Sequence, residues 1–376
     1  MKVPKIRVLF VFGTRPEAIK LCPVIRTLAA RPDEFNVSVC VTAQHREMLD
    51  GVLTTFEVQP DYDLDVMRDG QSLTEAAARI LERLEPVFKQ DRPDMVLVQG
   101  DTTTTLCGAL AAFYQNIAVG HVEAGLRTGD MWRPFPEEMN RLLVSRLATL
   151  HFAATAGAAA NLRAEGVPED RIVVTGNSGI DAVMYVRDRI AAGSLKPQKC
   201  NHPDSAKRMI LVTAHRRESF GAGFERICDA LRRISALDGV RIVYPVHPNP
   251  SVSCVVRESL RGHANIDLIE PLDYVTFVDL MQRSHLILTD SGGVQEEAPS
   301  LGKPVLVLRE NTERPEAVHA GTATLVGTDV DSIVAVTRHL LDDEAEYDRR
   351  RRIHNPYGDG RASERIAEAI LGWSRQ

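Results

Sequence analysis

Three acids stand where a sequence of this kind can do proton chemistry. Asp101 follows the apolar run Met95 to Gln99, and Glu123 follows Ile117 to Val122. Glu137 opens a helical stretch in Arg133-Pro134-Phe135-Pro136-Glu137-Glu138-Met139-Asn140-Arg141, with Arg141 at i, i+4 on the same face. Taken singly, Asp101 reads as an N-cap and Glu137–Arg141 as a surface ion pair. Taken together, carboxylates from consecutive loops of one sheet converge on one rim. Their repulsion and partial burial would push their pKa values apart, supplying an acid and a base near neutral pH. A second set suits an anion. Phe12-Gly13-Thr14-Arg15-Pro16-Glu17-Ala18-Ile19-Lys20 follows a strand and opens a helix, combining exposed amides with Arg15 and Lys20. Ser291-Gly292-Gly293 repeats that arrangement later in the chain, with Glu297 one turn on to accept ribose hydroxyls and Arg314 nearby. His215 in Thr213-Ala214-His215-Arg216-Arg217 can move protons, Arg216 or Arg217 can hold phosphate or a carboxylate, and His247 ends a further strand.

The elements that must position these residues alternate. Short β-branched runs at Arg7 to Phe12, Val37 to Val41, Met95 to Gln99, Ile117 to Val122 and Leu150 to Ala153 are separated by amphipathic stretches. One stretch, Ser72 to Gln90, is stopped by Asp91-Arg92-Pro93. After a loop-rich segment from Gly193 to Ser205 the series restarts at Ile210 to Thr213, Arg241 to Pro245, Ile266 to Ile269, Leu286 to Thr289 and Pro304 to Leu308. Two βα series predict two doubly wound α/β domains, with ligands at the carboxyl ends of the strands and in the cleft that the domains face. The boundary falls between Gly176 and Asp204, and Gly360 to Trp373 forms a closing helix.

Composition narrows the function. The chain has 376 residues, with 45 Lys+Arg against 51 Asp+Glu and a net charge of −6. That balance argues against a general nucleic-acid or anionic-membrane binder. No apolar stretch is long enough to span a bilayer, and the N-terminus lacks a signal-peptide pattern. Neither G-x-G-x-x-G nor a Walker loop is present, so no tightly held dinucleotide is expected. The six cysteines (Cys22, Cys40, Cys107, Cys200, Cys228 and Cys254) have no metal-ligand spacing and read as reduced thiols of a cytoplasmic protein, without a metal or other cofactor.

The segments FGTRPEAIK, TAQHREML, VQGDTTT, HVEAGLRT, PFPEEMNR, TAHRRE, HPNP, TDSGGVQEE and NPYGDGRAS together resemble the bacterial non-hydrolysing UDP-N-acetylglucosamine 2-epimerases. The resemblance implies a glycosyltransferase-B fold: an N-terminal domain of residues 1–178 completed by a helix at 360–376, and a UDP-binding domain at 179–359. It implies reversible conversion of UDP-N-acetylglucosamine to UDP-N-acetylmannosamine by a homodimer. UDP is eliminated anti to give a 2-acetamidoglucal, then re-added. Asp101, Glu123, Glu137, His215 and Arg141 match catalytic positions. Arg15, Lys20, Ser291, Gly292, Gly293, Glu297, Arg314, His247 and Arg216 are assigned to substrate. Gln44 and Glu138, with Arg216 and His247, match a second, activating site. There the chain departs from some members, carrying Glu47 where some have glutamine and Gly70 in the region where some have arginine. The rival activities are hydrolytic release of free N-acetylmannosamine, epimerisation of a modified UDP-sugar, glycosyl transfer, and UDP-sugar sensing without turnover.

Overall fold

A computed structural model describes residues 5–42, 46–68, 70–198 and 208–375. Gln44 and Cys200 lie outside the described residues. The chain divides into two compact units, Met1–Tyr185 with Tyr357–Gln376, and Val186–Pro356.

In the first unit the elements alternate as β1 (Ile6–Phe12), α1 (Arg15–Ala29), β2 (Phe35–Val41), α2 (Arg46–Thr55), β3 (Tyr62–Asp63), α3 (Leu73–Asp91), β4 (Met95–Gln99), α4 (Thr103–Tyr114), β5 (Ala118–Ala124), α5 (Glu137–Leu147), β6 (Leu150–Ala153), α6 (Ala156–Ala164) and β7 (Ile172–Val174). Helix α7 (Ser178–Ala191) carries the chain across the division. The strands form one parallel seven-stranded sheet in the order β3-β2-β1-β4-β5-β6-β7. Its central strands are almost wholly apolar because helices cover both faces: β1 buries six of its seven residues, all but Arg7, and β4 all five, with Gln99 at its end the polar exception. Leu9, Val11, Ile80, Leu84, Phe88, Val96 and Val98 form the core beneath α3 and α4.

The second unit repeats the plan with β8 (Arg208–Thr213), α8 (Ala222–Ser235), β9 (Val240–Pro245), α9 (Pro250–Leu260), β10 (Ile266–Ile269), α10 (Tyr274–Arg283), β11 (Leu286–Thr289), α11 (Gly292–Glu297), β12 (Val305–Val307), α12 (Pro315–Ala320), β13 (Ala323–Leu325), α13 (Val330–Asp342) and α14 (Glu344–Arg351). Its parallel sheet runs β10-β9-β8-β11-β12-β13. The last helix, α15 (Ala362–Ser374), packs on α1, and the Asp181 carboxylate accepts the Ala362 and Ser363 amides at its start.

Strand order reverses between β1 and β4 in one sheet and between β8 and β11 in the other. Neighbouring connections leave in opposite directions there, which opens a crevice at the carboxyl edge. The candidate loops 13–15, 99–102, 213–216 and 290–293 all sit at these two reversals. Cys22, Cys40, Cys107 and Cys228 are buried free thiols and Cys254 is an exposed one. Among the described residues no helix is long and apolar enough to cross a membrane.

Candidate active site

At the first reversal, β4 ends in Gln99 and β5 in Val122-Glu123-Ala124. Glu123 does not simply follow its strand, as the sequence suggests. It lies within β5 at φ 65°, where the register against β6 slips between Val122 and Ala124. That bulge turns the side chain onto the rim. Lys20 Nζ and Gln99 Nε2 each donate to the Glu123 carboxylate, and Asn177 Nδ2 donates at 3.3 Å. Lys20 and Glu123 are both largely enclosed, with side chains 13% and 12% exposed. Lys20, read from the sequence as a phosphate contact, is therefore an ion-pair partner of the acid.

Asp101 is not the N-cap of α4. Thr102 fills that role, its hydroxyl accepting the Thr105 amide. Asp101 is thereby free to take the Arg141 guanidinium, while Asn140 Nδ2 donates to the Asp101 carbonyl at 2.8 Å. Arg141 pairs with Asp101 and, at 2.9 Å, with Glu138, rather than with Glu137 at i, i+4. Glu137 opens α5, and its Oε2 is buried without a hydrogen-bond partner. Opposed repulsion among bare acids is thus not what the rim contains. Glu123 has Lys20, and Asp101 has Arg141.

Glu138, expected at a second ligand site, is 1% exposed and engaged within the chain. It accepts the Thr128 and Gly129 amides at 3.1 and 3.3 Å in addition to Arg141. It holds the loop before α5 in place. The turn after β1 also differs from expectation. The Gly13 and Thr14 amides, read as anion donors, point to Glu17 Oε2 at 3.1 and 2.7 Å. The anion-binding potential of that turn rests on Arg15, which starts α1.

At the second reversal the organising group is Asp290, fully buried at the end of β11. Its Oδ2 accepts the His215 and Arg216 amides at 2.6 and 2.7 Å, and its Oδ1 lies 3.3 Å from His215 Nδ1. The carboxylate thus shapes the loop after β8 and orients the imidazole. Burial lowers the His215 pKa, Asp290 pulls it up, and His247 and Arg216 add to the lowering, leaving it below the ordinary histidine value. His247 stacks on His215 with ring centroids 5.2 Å apart. Ser291 caps α11, its amide donating to Thr289 Oγ1 at 3.0 Å. A Cβ on Gly292 would meet the Arg314 guanidinium at 3.4 Å, so this buried arginine lies against the turn, paired with Glu296. Glu297 sits at the end of α11, with the Tyr274 hydroxyl 3.5 Å from Oε2. Burial pushes the Glu313 carboxyl up, but Arg314, Arg309 and Arg216 overcome it and hold the pKa at about 2. Arg216 lies 3.3 Å from Glu313, and Arg309 pairs with both Glu218 and Glu313.

Each unit therefore gathers most of its expected residues: Lys20, Asp101, Glu123 and Arg141 in one, and His215, Arg216, His247, Gly292 and Arg314 in the other. Sequence reasoning missed Glu17, Gln99, Asn177 and Asp290. Two carried a signal: Thr14-x-x-Glu17 is a capping-box pattern, and Asp290 separates a buried strand from a glycine turn. Among the described residues no three His, Cys, Asp or Glu side chains gather as a metal site.

The model of the UDP-N-acetylglucosamine 2-epimerase family matches residues 26–371. The chain belongs to this family. It is 59% identical over 369 residues to the UDP-N-acetylglucosamine 2-epimerase of Yersinia pestis, covering 97% of this chain and 98% of that protein. Its structure is similar to that of the UDP-GlcNAc 2-epimerase from Neisseria meningitidis bound to UDP-GlcNAc. The TM-score is 0.91 and the identity 48%, over 98% of this chain and all (100%) of that one. The Methanocaldococcus jannaschii UDP-GlcNAc 2-epimerase in complex with UDP-GlcNAc and UDP is more distant, with a TM-score of 0.79 and 32% identity over 98% and 100% of the two chains. Both likenesses run nearly the full length of this family member. The fold class read from its sequence, two parallel-sheet α/β domains of the glycosyltransferase-B kind, holds.

Proposed function

We propose that this family member interconverts UDP-N-acetylglucosamine and UDP-N-acetylmannosamine reversibly, without hydrolysis. The observation that carries the reading is the rim at the end of β4 and β5, where two cation-paired carboxylates, Glu123 with Lys20 and Asp101 with Arg141, stand side by side. The sugar C2–H has no adjacent carbonyl, so deprotonation alone would leave a poorly stabilised carbanion. In the proposed route a carboxylate takes the C2 proton as the C1–O bond breaks, and the bonding pair leaves on the UDP phosphate. C1 and C2 become the double bond of a 2-acetamidoglucal. A proton returns to the opposite face of C2, and UDP re-adds at C1. Asp101, Glu123 and Glu137 are assigned to proton transfer and charge at the sugar, with His215 as a further proton carrier and Arg141 orienting Asp101. Developing charge on the diphosphate is assigned to Arg15, Arg314 and the Ser291–Gly293 turn, with Arg216 and His247 in support. Glu297 takes the ribose.

The test is incubation with UDP-N-acetylglucosamine in D₂O. The expected outcome is deuterium at C2 of both UDP-linked sugars. Accumulation of UDP with free N-acetylmannosamine would replace this reading with the hydrolytic one, and binding without exchange would leave a sensor.

We also propose that the chain works as a homodimer in the cytoplasm. Support comes from exposed apolar residues on neighbouring elements of the first unit: Phe113 and Tyr114 ending α4, Leu143 on α5, and Trp132 stacked on Phe135 before it. Such a patch on a soluble chain marks an interaction face. Sedimentation should give twice the chain mass, and charged replacements at Tyr114 and Leu143 should yield the monomer. A monomeric unaltered protein would remove the proposal.

A further inference from the structure

Glu17 is 1% exposed, and its carboxyl joins two loops. Oε2 accepts the Gly13 and Thr14 amides from the loop that carries Arg15. Oε1 meets the hydroxyls of Thr102, in the loop that carries Asp101, and Thr105, in the first turn of α4, 2.7 and 3.2 Å away. The groups facing it are amides and hydroxyls, the Thr14 hydroxyl among them.

Counting protons decides its state. Each threonine hydroxyl has one. The Gln99 carbonyl, which can only accept, lies 2.6 Å from Thr105 Oγ1 and takes that proton. Two short oxygen–oxygen contacts remain, Thr102 to Thr105 at 3.0 Å and Thr102 to Glu17 at 2.7 Å, and Thr102 can supply a proton to only one of them. If Glu17 is ionised, one of the two is a contact between bare lone pairs. If Glu17 carries a proton, both are filled in sequence: Glu17 donates to Thr102, Thr102 to Thr105, and Thr105 to Gln99. Only the longest contact, at 3.2 Å, then lacks a proton.

We propose that Glu17 is a neutral carboxylic acid at the head of this hydroxyl chain, acting as a positioning residue that ties the Arg15 loop to the Asp101 loop. The chain ends on the carbonyl of Gln99, whose side chain donates to Glu123, so both rim acids are braced by it. Burial raises the Glu17 pKa in the same direction. The catalytic readout rests on the epimerase reading, whereas the protonation readout does not.

Glutamine reproduces the neutral acid, accepting the two amides and donating to Thr102, but it cannot reproduce a carboxylate. In the full chain at neutral pH, Glu17→Gln should keep kcat/KM within about threefold of the unaltered enzyme. Glu17→Ala should lose about 10²-fold, mostly in kcat, through misplaced acids. Equal losses in the two variants would overturn the proposal. Melting supplies the second measurement. A group whose folded pKa is raised destabilises the fold progressively as pH climbs from the unfolded value, about 4.3, toward the folded one. The melting temperature of Glu17→Gln should therefore rise relative to the unaltered protein across that window. A difference that stays level through that window, or that falls with rising pH around and below 4.3, would show an ionised Glu17 and overturn the assignment. If the unaltered protein shows no epimerisation, the epimerase reading fails and the melting series alone decides this one.

Discussion

Each sheet places a glycine turn beside its order reversal, after β1 in one and after β11 in the other, and the two are built differently. After β1, a Cβ on Gly13 would lie 2.0 Å from Thr42 Oγ1 and 2.9 Å from Thr104 Oγ1, and the turn's amides are taken by Glu17. After β11, a Cβ on Gly293 would meet nothing nearer than Glu297 Oε1 at 3.8 Å. The first glycine is required by the protein's own side chains, which close around it. The second has room that the fold does not use. The same contrast holds for charge. The first rim pairs each of two acids with a cation, and the second surrounds one partly buried acid, Glu313, with three arginines. A doubly wound sheet can thus use its reversal point to brace acids in place, or to leave open space beside a glycine turn.

Within the first unit, substitutions at the braced acid and at Arg15 should separate catalysis from phosphate binding. The largest effect is expected from Glu123→Gln, which keeps the shape of the side chain among Lys20, Gln99 and Asn177 but removes the base. The turnover number should fall by about 10²–10⁴-fold, with UDP affinity by calorimetry close to that of the unaltered protein. Arg15→Ala should do the reverse in kind. Losing a charged hydrogen bond to phosphate, about 1.5–3 kcal/mol, corresponds to roughly 10- to 10²-fold weaker UDP binding. Should Glu123 variants weaken UDP more than Arg15→Ala does, the division between proton transfer and phosphate contact is wrong.

How far the sequence carries is visible in particular residues. Strands β1, β4, β8 and β11 were legible because burial on both faces demands unbroken β-branched runs. The edge strands β3, β7 and β13 were not. With two or three residues each, and fewer apolar neighbours to satisfy, they carry little periodic signal. Asp101, Glu123 and Arg141 could be proposed from their places behind strands, but not their partners. Arg141 takes Glu138 at i, i+3 on its own helix, and it reaches Asp101 because α5 packs on α4, a tertiary fact that helix spacing does not contain. The positive φ of Glu123 is likewise set by a register slip between strands far apart in sequence. Glu17 carried only an unread capping-box signal, and its contact with Thr102 spans a separation of 85 residues.

The smallest expected effect is also the most direct probe of the two turns. Gly13→Ala forces a Cβ into the Thr42 and Thr104 hydroxyls, which hydrogen-bond each other at 2.9 Å. Overpacking of this kind destabilises by about 1–3 kcal/mol. Gly293→Ala makes only ordinary van der Waals contacts and sits in the first turn of α11, where alanine is preferred over glycine by about 0.5–1 kcal/mol. Its melting temperature should equal or slightly exceed that of the unaltered protein, while UDP affinity falls about tenfold because the new methyl occupies the approach to the amides. Normal stability with weakened UDP binding would assign the space beside Gly293 to the ligand. Normal stability with unchanged affinity would show that the phosphate does not come close to this turn, and the contrast between the two glycines would then be one of packing alone.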